Sequence, residues 1–453
     1  MSDSSLKGKR ESWGRYPKLA EASVKPIYWR DETPDFTHFD RNVLPVGYGR
    51  SYGDSCRNDA GIALDTTHLN RFIAFDRENG VLRCEAGVSL EEVLELIVPA
   101  GWFLPVTPGT KFVSVAGAIA NDIHGKNHHK AGTFGCHVTS FELLRSSGER
   151  LICSPTQNSD YFRATIGGLG LTGIILWAEF RLKKIANPFI HMERIRFGSL
   201  DEFMEISASS DDHYEYTVSW MDCLSGGDHI ARGLFWRGNH ATEAEGASSH
   251  VHHPLPLRVP FDVPSFLINK FTVKLAIEAI YRSQLNKKIE RIEHYDPFFY
   301  PLDRILDWNR GYGSRGFLQY QFVVPETNDN QALKEILAQI RAAGVGSITT
   351  VFKTFGTIQS PGMLSFPRPG ITLALDFPFR GQNTLDFLDR LDQTVCDSGG
   401  ALYPAKDARM SAESFKTFYP AWQEFSRYID PCFSSSFWRR VMASNGNGHR
   451  LAA

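Results

Sequence analysis

Residues 116–129 read AGAIANDIHGKNHH. The run sets one carboxylate (Asp122), three histidines (His124, His128, His129) and a lysine among small residues, just downstream of a Pro108-Gly109 turn. Small residues let a backbone approach a flat or charged ligand closely. Ser114 stands where it can cap a short helix carrying the small-residue run. The segment reads as a loop that holds a cofactor with its reactive face toward a substrate.

Upstream, residues 47–54 read GYGRSYGD after a short strand. Backbone N–H groups in such a loop can cradle a phosphate. It is not the dinucleotide fingerprint GxGxxG, because no long helix follows. Two separated small-residue loops, 47–54 and 108–117, can instead clasp one diphosphate from two sides.

Composition sets the bounds. The chain has 453 residues, 42% hydrophobic and 22% charged, ordinary for a globular protein and long enough for two lobes. A formal net charge of -2 does not point to nucleic acid. The seven cysteines are scattered, with no CxxC pair, so neither a zinc site nor a disulfide framework is expected. A reducing compartment fits that usage. The N-terminus is basic without an apolar core, which is not a secretory signal, and no run approaches the ~20 apolar residues of a membrane span. A cytoplasmic protein is expected, with a peripheral place on the inner membrane face as an option.

Residues 43–182 alternate short strands and helices. A helix over 89–98 opens with a capping box, Ser89 and Glu92. ELLRSSGERLICS is a hairpin around Ser147-Gly148, and GIILWAEFRL is a long, mostly buried strand. After Lys184 the texture changes. HYEYTVSWMD and ARGLFWRG read as strands, a histidine- and proline-rich stretch follows at 249–264, and 265–312 mixes basic and aromatic residues. Two strand–helix–strand units complete this part, from GFLQYQFVVP to SITTVFKTF and from ITLALDFPF to ALYPA. They predict a sheet with helices on one face. The aromatic tail 411–442 reads as helical and docks back on the first part.

On strand 317–323, alternation puts Phe317, Gln319, Gln321 and Val323 on one face and Leu318, Tyr320 and Phe322 on the other. Val351, Lys353 and Phe355 share a face, as do Thr372, Ala374 and Asp376. Several strands thus offer polar groups to one side, as a binding cavity requires. Lys406, in YPAKDAR at the end of the last strand, is the leading catalytic candidate. It can orient a hydroxyl or balance negative charge, and acting as a base requires burial or cationic neighbours to lower its pKa. His124 and Tyr52 are the other catalytic candidates. His128 and His129 suit a solvated or hydrogen-bonded role as well as a functional one, and His250, His252 and His253 read as loop.

YGRSYGD, PVTPGT, GAIANDIHGKNHH and GLGLTGII, in that order, resemble the vanillyl-alcohol-oxidase-type FAD-binding family. WNRGYGSRGFLQYQFV, VFKTFG, LSFPRPG and LYPAKDAR extend the resemblance to its decaprenylphosphoryl-ribose oxidase branch, from about residue 43 onward. The resemblance implies an α+β fold with two lobes: an FAD-binding domain at 1–184, an antiparallel-sheet substrate (cap) domain with helices on one face at 185–400, and a return to the FAD domain at 401–453. It places FAD contacts on Gly47, Tyr48, Gly49, Arg50, Ser51, Tyr52, Gly109, Ser114, Val115, Ala116, Gly117, Asn121, Asp122, Ile123, His124, Ile175 and Tyr403. Expected substrate contacts are Trp220, Gln319, Gln321, Lys353, Thr372 and Lys406, and no metal is expected. Many relatives carry a flavin-linking histidine in a GxGHS loop. Here that place reads Gly49-Arg50-Ser51, which implies non-covalent FAD.

By the same resemblance the reaction oxidises C2 of a polyprenyl-phosphate pentose (ribose) to a ketone, with hydride leaving for flavin N5. A separate NAD(P)H-dependent short-chain reductase would complete the epimerisation to the arabinose configuration, for the cell envelope, and a quinone or oxygen would reoxidise the flavin. The best-known members carry Asn and Cys where this chain has Thr372 and Ala374, so trapping by cysteine-directed nitroaromatic inhibitors is not expected. Two other readings stand beside this one: an aldonolactone or alditol oxidase of free sugars using oxygen, and a flavin-binding partner subunit without turnover. Segment 264–301 reads equally as a contact for anionic lipid or the prenyl tail and as a solvated helix and loop over the pocket.

Overall fold

The computed structural model describes residues 11–443 apart from 21, 41 and 248–255. The expectations for His250, His252, His253 and the first ten residues lie outside the described residues.

The chain is α+β. Three parallel strands, Ser23–Pro26, Ile62–Asp65 and Val43–Val46, lead into the 47–54 loop. A five-stranded antiparallel sheet follows, in the order Phe72–Asp76, Val81–Glu85, Ile174–Arg181, Val138–Leu144 and Arg150–Cys153. The last two of these strands form the expected hairpin. The capping box is present: Ser89 Oγ accepts from the Glu92 N–H while the Glu92 carboxylate accepts from the Ser89 N–H, which fixes the start of helix Leu90–Ile97. Ser114 likewise accepts from the Gly117 N–H and opens helix Val115–Ala120.

Eight antiparallel strands form the larger sheet, ordered Lys288–His294, Phe189–Phe197, Gly233–His240, Tyr216–Met221, Val351–Phe355, Gly370–Pro378, Phe317–Val324 and Ala401–Leu402. Helix Gln331–Ala343 buries Leu333, Ile336, Leu337 and Ile340, and helix Gln382–Asp397 buries Phe387, Leu388, Leu391 and Val395. They share one core with Leu318, Phe322, Leu373 and Leu375 of the sheet. Each such side chain stabilises the fold by about 1.5–3 kcal/mol before entropy is counted. The apolar alternates of the strands therefore face the helices, leaving Gln319, Gln321, Lys353 and Asp376 to the opposite side.

Two elements differ from expectation. FIHMERIRF, whose charged residues break the apolar alternation, is the nine-residue strand Phe189–Phe197. Its charged residues are satisfied across the sheet, where Glu193 pairs with Arg237 (2.6 Å) and Lys288. Residues 264–301 hold helix Lys270–Arg282 but also the edge strand Lys288–His294, so the segment is more than a helix and loop. The tail is helical at Ala412–Phe418, Trp422–Ser426 and Ser436–Met442. It docks near the N-terminal strands, where the Val43 N–H donates to the Cys432 carbonyl (2.9 Å). Among the described residues no helix is long and apolar enough to cross a membrane.

Candidate active site

The small-residue loops meet where their sequences demand close approach. A Cβ on Gly47 would lie 2.5 Å from Ser114 Oγ, and one on Gly53 would lie 1.6 Å from the Asp407 carbonyl oxygen. Any side chain at either place would force the two segments apart. The Tyr52 N–H donates to the Ala405 carbonyl (2.9 Å), joining the first loop to the end of the last strand. Tyr403 Oη donates to the Asn121 carbonyl (2.8 Å), and its ring stacks on Phe366 at 4.7 Å.

Between these segments and the polar face of the large sheet lies a cavity of about 340 Å³. Gly47, Tyr48, Gly49, Arg50, Ser51, Tyr52, Gly109, Ser114, Ala116, Gly117, Asn121, Ile123, His124, Ile175 and Tyr403 line it, and so do Gln319, Gln321, Lys353 and Lys406. Four expected contacts do not. Val115 turns inward to the core beside Ala118 and Ile119. Asp122 is fully buried behind the loop, accepting from the Gly135 N–H and the Ser360 and Ser365 hydroxyls. Thr372 sits behind Gln321, accepting from its amide and donating to the Phe322 carbonyl. Trp220 shares a sheet face with the cavity-lining Val218, but helix Lys270–Arg282 covers that end. There it packs against Val273 and Ile277, and its indole N–H donates to the Ile348 carbonyl (2.7 Å).

The cavity floor is a hydrogen-bonded relay. The Gln321 amide donates to His124 Nε2 (3.0 Å), and Lys353 Nζ lies 3.0 Å from His124 Nδ1. Burial, then the neighbouring Lys353, holds His124 well below its usual range, and burial does the same to Lys353. A neutral pair satisfies this pattern. The imidazole carries its proton on Nδ1 and donates to the Lys353 amine, which in turn donates to the Gly125 carbonyl.

On the other side, Lys406 Nζ stands 3.8 Å above the Tyr52 ring. Burial lowers its pKa to about 7, against the opposing pull of Asp376. Asp376 accepts from Gln319 (2.7 Å) and from Thr349, and burial raises its pKa to about 6. Lys126, not among the sequence candidates, also lines the cavity, and burial lowers its pKa to about 8. Its carbonyl accepts from the Thr217 N–H (2.9 Å), while its ammonium group has no hydrogen-bond or ion-pair partner among the described residues. Its position two residues after His124 in the same loop is the available signal. His128 lies under Phe355 rather than in the cavity, and the His129 ring bonds the Tyr214 carbonyl (2.9 Å). Among the described residues no group of three or more His, Cys, Asp or Glu could hold a metal ion.

Comparison with known proteins identifies the family. Residues 35–154 match the FAD binding domain family. The chain is 40% identical over 447 residues to the decaprenylphosphoryl-beta-D-ribose oxidase of Mycolicibacterium smegmatis, covering 95% of this chain and 96% of that protein. This chain belongs to the decaprenylphosphoryl-ribose oxidase family. It also resembles a Streptomyces coelicolor protein named for the mprA 5' region, 30% identical over 78% of this chain and all of that one. A putative D-arabinono-1,4-lactone oxidase of Neurospora crassa is 32% identical, but only over 32% of this chain and 26% of its own length. Membership makes the protein an FAD-dependent oxidoreductase. The cavity fits that cofactor: loops held in close approach through Gly47 and Gly53 face a wall rich in cationic and amide groups.

Proposed function

We propose that the protein oxidises the C2 hydroxyl of a polyprenyl-phosphoryl ribose to the ketone. The observation that carries this reading is the near-full-length 40% identity to an oxidase of that named substrate, which far outweighs the partial likeness to the lactone oxidase. Residues 1–184 and 401–453 would form the FAD-binding lobe and 185–400 the cap. The 47–54 and 109–124 loops would hold FAD non-covalently, with Arg50 standing where a linking histidine would otherwise be. Bound FAD supplies the hydride acceptor.

The chain's own residues do the rest. Gln319 and Gln321, on one strand face, hold the sugar hydroxyls. The neutral Lys406 amine takes the hydroxyl proton as the carbinol carbon is oxidised, and Asp376 keeps that amine oriented. Lys353 fixes the His124 tautomer, so the ring presents Nε2 and the Gln321 amide in one orientation. The ketone product calls for a separate NAD(P)H-dependent reductase, and a quinone or oxygen takes the electrons away.

Lys126 supplies a charge for the substrate phosphate. Lys126→Met should raise KM for the lipid phosphate roughly 10- to 100-fold, as loss of one charge-assisted hydrogen bond would. Turnover of a phosphate-free ribose analogue should stay unchanged, and steady-state kinetics on both substrates checks this. Anaerobic titration of the yellow protein with polyprenyl-phosphoryl ribose tests the whole reading. Bleaching, with a product two hydrogens lighter by mass spectrometry, supports it. Inertness toward that substrate with bleaching by free sugars rejects it in favour of a sugar oxidase.

A further inference from the structure

Seven of the thirteen large hydrophobic side chains exposed among the described residues fall between 257 and 285. Helix Lys270–Arg282 shows why they gather there. It turns Val273 and Ile277 inward onto Trp220 and Leu234, while Phe271 (75% exposed) and Leu275 (61%) stand on the outer side. Phe266 (75%) precedes the helix and Leu257 and Phe261 lie on the neighbouring ribbon, all outward. An isolated exposed leucine is unremarkable, but seven exposed large apolar side chains within one short stretch of chain mark a contact surface.

Charge identifies the partner. Residues 256–288 carry six basic and two acidic side chains, in a chain whose net charge is -2. Both acids are already neutralised: Asp262 pairs with Arg15 (2.6 Å), and Glu278 pairs with Arg232 (2.5 Å) and Arg282. Of the basic residues, Arg258 pairs with Asp307 (3.1 Å), Lys287 with Glu202 and Lys288 with Glu193, which leaves the free charge on the helix. Lys270 and Lys274 flank the outer apolar side chains on the helix, without an ion-pair partner among the described residues. Phenyl and leucyl side chains interleaved with free lysines suit the headgroup region of an anionic bilayer.

The same surface adjoins the cavity. Strand Leu257–Arg258 pairs in parallel with Ile305–Leu306, and Ile305, Leu306 and Trp308 line the cavity. The exposed ribbon and the cavity wall are neighbouring strands of one small sheet. We propose that the 257–285 face seats the protein on an anionic lipid leaflet and brings the cavity to the membrane surface, where a polyprenyl phosphate can enter without leaving the bilayer. The purpose assigned to this surface rests on the proposed lipid-linked substrate; the docking itself does not.

The test is co-sedimentation of the FAD-loaded full chain with phosphatidylcholine vesicles, with and without phosphatidylglycerol. The comparison is with the triple variant Phe266→Ser, Phe271→Ser, Leu275→Ser, in which only exposed side chains change. The wild type should pellet with the anionic vesicles and less so at high salt, and the variant should partition roughly tenfold less. Unchanged circular dichroism and FAD content would show that the variant is folded. A wild type that stays in solution with anionic vesicles overturns the proposal, as does a variant that pellets equally well. So does a vesicle-free dimer that the triple variant dissolves, since a second copy would then cover this face. Oxidation of a water-soluble short-chain prenylphosphoryl ribose separates the two readings. If that activity fails while vesicle binding holds, the substrate reading falls and the docking surface stands.

Discussion

Replacing Lys406 with methionine lowers the rate constant for substrate-driven flavin reduction by roughly 10²- to 10⁴-fold, the range expected when a positioned proton acceptor is lost. Methionine keeps the length and apolar stem, so the change removes the amine and little else. Stopped-flow bleaching at saturating substrate reads the effect directly. The pH profile identifies the role. With the Lys406 pKa brought to about 7 by burial, a base must be neutral to act. The wild-type rate should therefore rise with pH through about 7 and then level off, and the variant should lack that limb. A wild-type rate that instead falls above that pH would show the lysine working as a cation.

The same substitution should stabilise the apoprotein. The folded value, about 7, lies below the ordinary 10.5, so between these two the unfolded chain binds the extra proton and stability from this site rises with pH. At about 1.4 kcal/mol per unit, the strain amounts to a few kcal/mol below pH 7. Lys406→Met should thus raise the urea midpoint of the apoprotein most near pH 6 and least near pH 10. Slower reduction with greater stability is the signature of a group held in place for function rather than for folding.

Arg440→Met carries the largest stability loss, about 3–5 kcal/mol, because it leaves buried carboxylates without their cation. Arg440 bonds Asp54 through Nε (2.9 Å) and Nη2 (2.7 Å), and Asp407 through Nη2 (2.8 Å). Asp54 is 1% exposed and Asp407 7%. This one guanidinium therefore ties the helical tail to the first glycine loop and to the segment after Lys406. Denaturant unfolding of the variant and its FAD content after purification both report the loss. Arg440→Lys, keeping the charge but not the fork, should fall between. A change in unfolding free energy below about 1 kcal/mol for the methionine variant would show that the carboxylates find other partners.

The sequence is legible locally where one residue type has one physical use. Ser89 with Glu92, and Ser114 before a small-residue run, mark helix starts because few other groups satisfy free N–H donors there. Gln319 and Gln321 marked the polar face of their strand because apolar alternates occupied the other. Strand Phe189–Phe197 was not legible, since Glu193, Arg194 and Arg196 interrupt its apolar pattern and are balanced only by partners on other strands. Trp220, expected as a substrate contact, lies under helix Lys270–Arg282 instead, because no local pattern tells which part of a sheet a distant helix will cover. Lys126 was missed for a related reason. A lysine in a loop looks solvated until the fold buries it.

The hydrogen bond from the Tyr52 N–H to the Ala405 carbonyl has a consequence for synthesis. A chain emerging from the ribosome at about 5–20 residues per second presents its first glycine loop tens of seconds before the strand end that backs it. Until then the cavity lacks Lys406 and the Arg440 clamp. Cofactor capture must follow late assembly of the large sheet, and an arrested nascent chain lacking residues beyond 400 should emerge colourless.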